Sequence, residues 1–219
     1  MVIDVLRATS TMVTALANGC QALIPVLTPE EAIERRLGLP GALLGGERQA
    51  VRLEGFDLGN SPFDYVPEKV GGKRVIMTTT NGTRAIQAAA AAPYVWLASF
   101  LNMDSVVHGI LRQFEANSRL EGIVILCAGT CNRLDLADTL CAGMLIDSLG
   151  PEHELNDLGV AARVLYRATG GNMLDTVKHS EHGRRLVSLG FERDVIYCLT
   201  QNILPIVPVL ANDEIVWLT

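Results

Sequence analysis

An aspartate, an arginine and two hydroxyl side chains lie together near the start of the chain. The apolar run Val2–Val5 is typical of a strand and contains Asp4. Arg7 follows where a helix would begin, together with Thr9 and Ser10, which we predict to be substrate-binding hydroxyls. Ligands in open α/β sheets bind at the carboxyl ends of strands, so this aspartate can hold Mg²⁺ and the arginine can clamp a phosphate oxygen. The alternative is a surface Asp–Arg pair with a hydroxyl helix cap, and the segment alone does not decide between them.

A second polar segment connects the strand-like run Val75–Met77 to an alanine-rich helical run. It contains Asn81, Gly82 and Thr83. The N-terminus of a helix offers free N–H groups and a partial positive charge, which suits a phosphate, and a glycine lets the backbone approach closely. We therefore predict that these three residues bind substrate. Taken in isolation, however, Thr-Asn-Gly-Thr is more often an ordinary turn.

Two turns between these segments carry further polar groups. Glu47 follows a pair of glycines and is a candidate second carboxylate for a metal ion. Asn60 and Ser61 directly precede Pro62, which is typical of the first position of a helix. We predict that this Asn–Ser pair donates hydrogen bonds to an anion, although each turn alone is more often structural.

The segment 127–143 carries both an acidic helix and a cysteine. Asp138 falls in a helix that follows a strand, so its carboxylate can face the same edge of the sheet as Asp4. Five residues separate Cys127 from Arg133, a spacing found in phosphatases that use a thiolate nucleophile. That spacing arises easily by chance, and a cysteine that ends a buried strand is more often a small apolar side chain. We keep Cys127 as the least favoured of three candidate nucleophiles.

The most basic stretch of the chain spans residues 178–185. Its Arg184 is a candidate for binding a second anionic group of a substrate, such as a sulfonate or a carboxylate. Basic runs of this kind are more often solvated helix faces, and that alternative stays open for each residue in the stretch.

The elements that must position these residues alternate between short strands and amphipathic helices. This alternation favours an α/β fold with helices on both faces of the sheet. After Gly150 the pattern becomes mainly helical, over about residues 151–190, and the tail Ile203–Leu218 is typical of strands. No linker divides the chain, so we predict a single domain over 1–219. Met1 directly precedes what should be a central strand, and we therefore expect an N-terminal segment to be missing.

Composition narrows the class of protein. Apolar residues make up 49% of the chain and charged residues 19%, which allows a large core. The net charge of -6 and the lack of a strongly basic patch argue against nucleic acid as a partner. The five cysteines form no C-x-x-C pair, which favours a reducing, cytoplasmic setting. The most apolar stretch, Ala85–Met103, is interrupted by polar residues and proline, so we expect no membrane span; a homo-oligomer remains open.

Taken in order, the polar segments resemble the 2-phosphosulfolactate phosphatase family of coenzyme M biosynthesis. The matching pieces, from Val2 to Cys198, are V-I-D-V-L-R-A-T-S-T, G-G-E-R, G-N-S-P, T-T-N-G-T-R-A, S-F-L-N, L-C-A-G-T, A-D-T-L-C-A-G, S-E-H-G-R-R-L, L-G-F and D-V. The resemblance implies a three-layer α/β/α sandwich around a mostly parallel or mixed sheet. It also implies Mg²⁺ dependence and hydrolysis of 2-phospho-3-sulfolactate to 3-sulfolactate and phosphate.

On this hypothesis some set of Asp4, Glu47 and Asp138 holds Mg²⁺. A metal-bound water is the preferred nucleophile, an aspartate that becomes phosphorylated is the second choice, and Cys127 is the third. The chain departs from the family pattern at Ala137, where a Glu is usual, and Asp135 is a candidate replacement. Two alternatives remain: a phosphatase that acts on another small acidic phosphoester, and a non-catalytic anion-binding homologue.

Overall fold

The computed structural model describes residues 1–217, and its strands are short. They are β1 Val2–Ile3, β2 Ala22–Pro25, β3 Leu43–Arg48, β4 Val51–Arg52, β5 Arg74–Thr78, β6 Leu97–Ala98, β7 Leu126–Cys127, β8 Pro208–Ala211 and β9 Glu214–Trp217. The helices are α1 Ala8–Ala17, α2 Pro29–Leu37, α3 Pro67–Val70, α4 Gly82–Ala89, α5 Met103–Ala116, α6 Leu136–Leu149, α7 Asp157–Thr169, α8 Met173–Lys178, α9 Glu181–Ser188 and α10 Glu192–Cys198. Two short 3-10 helices span Pro62–Asp64 and Phe100–Asn102.

The strands form two sheets. A three-stranded parallel sheet has the order β6-β1-β7, which puts β1 and the following Asp4 at its centre. The second sheet has the order β4-β3-β5-β2-β9-β8 and is mixed, because β3, β5 and β2 run parallel whereas β4 and β9 pair antiparallel with their neighbours. A bridge between Trp96 and Val209 joins the two sheets. In parallel sheets the carboxyl ends of the strands lie at one edge, which is where the polar segments follow β1, β5 and β7.

Helices cover both faces of the three-stranded sheet. Val2 packs into an apolar cluster with residues of α1 and α4, while the next residue, Ile3, packs into a second cluster with residues of α5 and α6. Leu97 and Ala98 of β6 divide between the same two clusters. Successive side chains of a strand point to opposite faces, so this division places the sheet between two helical layers. The predicted α/β sandwich with a mixed sheet is confirmed.

Element boundaries differ from the predicted ones at several places. α1 begins at Ala8, where the backbone N–H groups of its first turn bond to Asp4. α10 was not predicted as a helix, since its seven residues are too few to show a clear period. The two strands of the tail, β8 and β9, are present, and Leu218 lies outside the described residues. Within residues 1–217, no helix has the length and apolar character that crossing a membrane requires.

The helical segment packs against the rest of the protein through a glycine. A Cβ atom at Gly143 of α6 would overlap the carbonyl oxygen of Ala162 in α7 and would lie 2.7 Å from the Cβ of Tyr166. The two helices therefore approach more closely than any side chain at this position allows. By contrast, a Cβ at Gly109 of α5 would meet only the methyl groups of Val207, at ordinary contact distances of 3.6 and 3.7 Å.

These two glycines give a matched pair of substitutions. We predict that Gly143→Ala lowers the free energy of unfolding by about 1–3 kcal/mol, the usual effect of overpacking. Gly109→Ala is expected to raise the free energy of unfolding by about 0.5–1 kcal/mol, because alanine has the higher helix propensity. Urea unfolding of both variants beside the parent measures the difference. Equal free energies of unfolding for the two variants would contradict the close helix contact.

Candidate active site

Asp4 lies directly after β1, between the N-termini of two helices. Its Oδ1 accepts a hydrogen bond of 3.1 Å from the backbone N–H of Ala8, so it caps α1. Its Oδ2 takes part in no hydrogen bond within residues 1–217 and is not among the fully buried polar atoms without a partner, so solvent reaches it. The side chain as a whole is only 7% exposed. Asp4 therefore presents one carboxylate oxygen to a small solvent-accessible space.

Gly82 begins α4 on the other side of that oxygen. A Cβ at this position would overlap the Cβ of Ala8 and would lie 2.7 Å from Oδ2 of Asp4. The N–H groups of Asn81 and Gly82 bond to no acceptor in the part of the chain that the structure describes. The first turn of α4 and the carboxylate of Asp4 are thus neighbours only because residue 82 has no side chain. Unpaired N–H groups at a helix N-terminus are suited to hold an anion.

The hydroxyl groups that we predicted to bind substrate are buried and do not face the solvent-accessible space at Asp4. Thr9, Ser10 and Thr83 are each 0% exposed. The hydroxyl of Thr9 donates to the carbonyl oxygen of Asp4 and accepts from its N–H, and that of Ser10 donates to the carbonyl oxygen of Val5. Because these hydroxyls are enclosed and already bonded to backbone, they brace the turns rather than reach a ligand.

Glu47, at the end of β3, reaches the α4 turn from the neighbouring strand. Its Oε1 accepts from both the N–H and the hydroxyl of Thr80, at 2.8 and 2.9 Å. Its Oε2 accepts from the N–H of Ala50 at 2.7 Å. Glu47 thus lies close to the predicted site, but both of its oxygens are engaged in holding the turns around it.

Asp138, in the first turn of α6, joins the ends of two strands. Its Oδ1 accepts from the N–H of Val5 at 2.8 Å, and its Oδ2 accepts from the N–H of Gly129 at 3.0 Å. The side chain is 2% exposed. Asp138 therefore fixes the loops after β1 and β7 relative to each other, which in turn fixes Asp4.

Asp135 and His182 form a pair beside these carboxylates. Asp135 caps α6 with Oδ1, which accepts from the N–H of Ala137 at 2.9 Å. Its Oδ2 accepts from the hydroxyl of Thr130 at 2.8 Å and lies 2.9 Å from Nδ1 of His182. The imidazole comes from α9, in the basic segment of the chain. The sequence pattern indicated Asp135 only as a substitute for the absent Glu, and it did not single out His182.

The environment shifts the pKa of each aspartate. Burial raises the pKa of Asp4 to about 6, while its bond from Ala8 and the charge of His182 act in the opposite direction. Burial, followed by the charges of Asp4 and Asp135, raises the pKa of Asp138 well above its usual range. Burial also acts to raise the pKa of Asp135. The hydrogen bond and the charge of His182 outweigh burial, so the pKa of Asp135 is lowered. The site therefore combines one carboxylate that ionises readily with two whose ionisation is opposed.

These carboxylates suit an open metal site better than a closed one. No three His, Cys, Asp or Glu side chains within residues 1–217 are placed to hold a metal ion together, so the set of Asp4, Glu47 and Asp138 does not form a closed cage. Mg²⁺ is commonly bound by only one or two carboxylates, with substrate phosphate and water as the other ligands. The Oδ2 atom of Asp4, unbonded and next to the unpaired N–H groups at the start of α4, fits that open kind of site.

Arg7 is enclosed rather than presented to ligand. Its Nη1 donates to Oδ2 of Asp194 at 2.6 Å and its Nη2 donates to the carbonyl oxygen of Ala50 at 2.8 Å. The guanidinium group also stacks 4.1 Å from the ring centre of Phe191. These bonds use two of the five guanidinium N–H groups, so the predicted clamp on a phosphate depends on the remaining ones, in a residue that is only 2% exposed. Asp194, which sequence analysis did not assign a role, instead makes this a buried ion pair.

The remaining predicted residues are Asn60, Ser61 and Arg184, and no hydrogen bond joins their side chains to Asp4 in the part of the chain that the structure describes. Ser61 donates to Oδ1 of Asp194 at 3.0 Å, and Asn60 is buried with its Oδ1 unbonded. Arg184 is exposed and donates to the carbonyl oxygen of His179. We call Asp4, Asp135, Asp138 and His182, with the first turn of α4, the Asp4 cluster. Within residues 1–217, none of the three remaining predicted side chains bonds to one of its carboxylates.

Cys127 lies close to the cluster but is poorly suited to be a nucleophile. Burial, with the charges of Asp138 and Asp135, raises the pKa of its thiol to about 12. Arg133, the arginine of the C-x₅-R spacing, pairs with Glu181 at the surface and does not complete a phosphate loop. A thiol with a raised pKa is rarely ionised near neutrality, so the environment disfavours thiolate chemistry here.

Ala137, at the position of the usual family Glu, is fully buried in the cluster that contains α5 and α6 residues. A carboxylate placed there would be enclosed by apolar side chains, which costs several kcal/mol unless it is paired. The packing at residue 137 therefore disfavours a carboxylate there.

The raised pKa of Asp4 predicts how stability depends on pH without metal. The folded state binds a proton at Asp4 more tightly than the unfolded state does, because the pKa rises from 3.8 to about 6. The free energy of unfolding contributed by this group is therefore present below about pH 4 and is lost as pH rises through about 6. Asp4→Asn removes this loss, so the variant should gain about 1–3 kcal/mol relative to the parent between pH 4 and pH 7.5.

Urea unfolding in EDTA at the two pH values measures this gain. Asp213→Asn is the control, because Asp213 is exposed in the turn between β8 and β9. A parent and an Asp4→Asn variant with the same pH dependence would contradict the burial of an ionisable Asp4.

Comparisons with known proteins agree with the resemblance. The family model described as 2-phosphosulpholactate phosphatase matches residues 1–213. A curated relative from Symbiobacterium thermophilum is 43% identical over 224 residues, covering 100% of this chain and 93% of the relative. Relatives from Thermotoga petrophila and Clostridium acetobutylicum are 45% and 40% identical, covering 97% and 98% of this chain and 88% and 90% of the relatives.

All three relatives are named probable 2-phosphosulfolactate phosphatase. The match covers β1, the α4 turn, α6 and α9, which together build the Asp4 cluster. The chain therefore belongs to the 2-phosphosulpholactate phosphatase family.

Proposed function

We propose that this protein hydrolyses 2-phospho-3-sulfolactate to 3-sulfolactate and phosphate. The observation that carries the proposal is the unbonded Oδ2 of Asp4, which lies beside the N-terminus of α4 and its unpaired N–H groups. The names of the relatives, probable 2-phosphosulfolactate phosphatase, support this substrate. The same proposal assigns the protein to a cytoplasmic setting, in keeping with its free cysteines.

In this proposal the phosphate is held mainly by backbone. The N–H groups of Asn81 and Gly82 donate to its oxygens, and the partial positive charge of the α4 N-terminus favours its negative charge. Among Asp4, Glu47 and Asp138, Asp4 is the residue with a carboxylate oxygen unbonded within residues 1–217, and this oxygen is free to meet the metal or the phosphorus atom. Glu47 and Asp138 act by holding the surrounding turns, because their oxygens are already bonded to backbone N–H groups.

We propose Mg²⁺ as the cofactor, held by Asp4 together with the bound phosphate. When bound, the ion neutralises negative charge on the phosphoryl oxygens. The electrostatics of the cluster support a cation, because burial and mutual repulsion oppose the ionisation of Asp4 and Asp138. The exposed Arg184 stays our candidate for a second anionic group of the substrate.

Phosphate release from a matched set of esters tests the proposal. The set is 2-phospho-3-sulfolactate and 2-phospholactate, which differ only in the sulfonate, each assayed with Mg²⁺ and with EDTA. We expect Mg²⁺-dependent release that is faster from the sulfonate-bearing ester. Equal rates would favour the broader alternative, a phosphatase for small acidic phosphoesters. Absence of release from either ester would favour a non-catalytic anion-binding homologue.

Gly82 provides a specific test of the phosphate site. We predict that Gly82→Ala lowers kcat/KM by about 10²-fold or more, since a displacement of the reacting groups by about 1 Å can have that effect. The added methyl group would meet Ala8 and Oδ2 of Asp4. Gly171→Ala is the control, because a Cβ there would meet nothing within 4 Å.

Inhibition by inorganic phosphate and thermal unfolding accompany this assay. They separate a lost phosphate site from a lost fold, because a folded variant should show weaker inhibition by phosphate. A folded Gly82→Ala protein with the parental kcat/KM would place the phosphate elsewhere.

A further inference from the structure

The pair formed by Asp135 and His182 lies beside the proposed phosphate site. The two residues are 47 positions apart in the sequence and meet only in the folded protein. Asp135 closes the loop after β7 and caps α6, whereas His182 lies in the first turn of α9. Two separate elements therefore deliver a carboxylate and an imidazole to one place.

Hydrogen bonding fixes the orientation of the imidazole. Its Nδ1 lies 2.9 Å from Oδ2 of Asp135 and 2.8 Å from the hydroxyl oxygen of Thr130. That hydroxyl donates its own hydrogen to Oδ2 of Asp135, at 2.8 Å, so it can only accept from the ring. With two acceptors around it, Nδ1 carries a hydrogen, and the exchangeable position on the ring is Nε2.

The other ring nitrogen is available to a ligand. Nε2 of His182 bonds to no group within residues 1–217 and is not among the fully buried polar atoms without a partner, so solvent reaches it. The side chain is otherwise enclosed, with 18% of its surface exposed. Contacts connect this pair to the carboxylate of the site: the N–H of Asp138 donates to Oδ1 of Asp135 at 3.4 Å, and Oδ1 of Asp138 accepts from the N–H of Val5, the residue after Asp4. An oriented imidazole with one accessible nitrogen is the arrangement that proton transfer requires.

We propose that His182, oriented by Asp135, is the general acid that protonates the leaving oxygen of the substrate. This inference rests on the proposed function. In the step, the bond between phosphorus and the ester oxygen breaks and its electron pair passes to that oxygen. The oxygen takes the proton from Nε2 and leaves as the hydroxyl of the product. Water supplies the hydroxyl that forms the new bond to phosphorus, and the second proton of that water restores the imidazolium.

The leaving group explains why an acid is needed at this position. The proposed substrate releases a secondary alcohol, and an alkoxide is a poor leaving group unless it is protonated. General acid catalysis of such a step typically contributes about 10²–10⁴-fold in rate. A substrate whose alcohol is more acidic needs that proton less. The dependence on His182 should therefore follow the acidity of the leaving alcohol.

The experiment compares 2-phospho-3-sulfolactate with its 3,3-difluoro analogue, which keeps all three anionic groups but releases a more acidic alcohol. We expect His182→Gln to lower kcat on the natural ester by about 10²–10⁴-fold and to lower kcat on the difluoro ester by a smaller factor. His108→Gln is the control, because His108 is exposed on α5. Thermal unfolding checks that each variant is folded.

Asp135→Asn tests the orienting role separately. Asparagine keeps the cap of α6, which uses Oδ1, but its NH₂ group cannot accept the hydrogen on Nδ1 of His182. We expect kcat to fall more on the natural ester than on the difluoro ester, as for His182→Gln but by smaller factors. We also expect a change in the ¹⁵N shifts of the His182 ring. The inference would be overturned if folded His182→Gln protein lost kcat on the natural and the difluoro ester by factors that agree within about threefold, or lost no kcat at all. Parent protein that releases phosphate from neither ester would instead overturn the proposed function.

Discussion

The close approach of α1 and α4 at Gly82 is the constraint on which the rest of the site depends. The first turns of these helices follow strands of two different sheets, and no Cβ separates Gly82 from Ala8 and Asp4. Both helix N-termini consequently face one carboxylate, whose Oδ1 caps α1 while its Oδ2 stays free. Asp138 and Glu47 then hold the strand ends and the α4 turn in place around it.

This arrangement gathers negative charge that opposes folding in the absence of a ligand. Asp4 and Asp138 are nearly enclosed, and burial raises the pKa of both. Hydrogen bonds from backbone N–H groups offset part of this cost, and an ionised aspartate beside a histidine is accommodated at Asp135. Carboxylates held under such conditions are typical of functional sites, where a cation or a proton relieves the repulsion.

Sequence patterns predicted the sheet and the helices around it because the apolar periods are regular there. The turns at Asp4, Glu47 and Gly82 follow strand-like runs, so their meeting at one edge could be anticipated. The roles of hydroxyls could not be anticipated, since Thr9 and Ser10 bond to their own turn only in the folded chain. Arg7 was predicted as a phosphate ligand because its partner, Asp194, is 187 residues away and cannot be recognised from the local sequence.

His182 shows the limit of sequence reasoning most clearly. It lies in a basic run that is typical of a solvated helix face, and its neighbour Arg184 indeed faces solvent. Two residues apart on α9, these side chains point to different sides of the helix, and only the packing of α9 against the loop before α6 selects the histidine. A charge count along the sequence does not contain that information.

A crystal structure with Mg²⁺ and inorganic phosphate is the most direct test of where the anion binds. We predict phosphate oxygens within hydrogen-bond distance, about 3 Å, of the N–H groups of Asn81 and Gly82, with the metal ion beside Oδ2 of Asp4. Phosphate bound instead along the basic segment 178–185, with Asp4 in contact with neither ion, would contradict it.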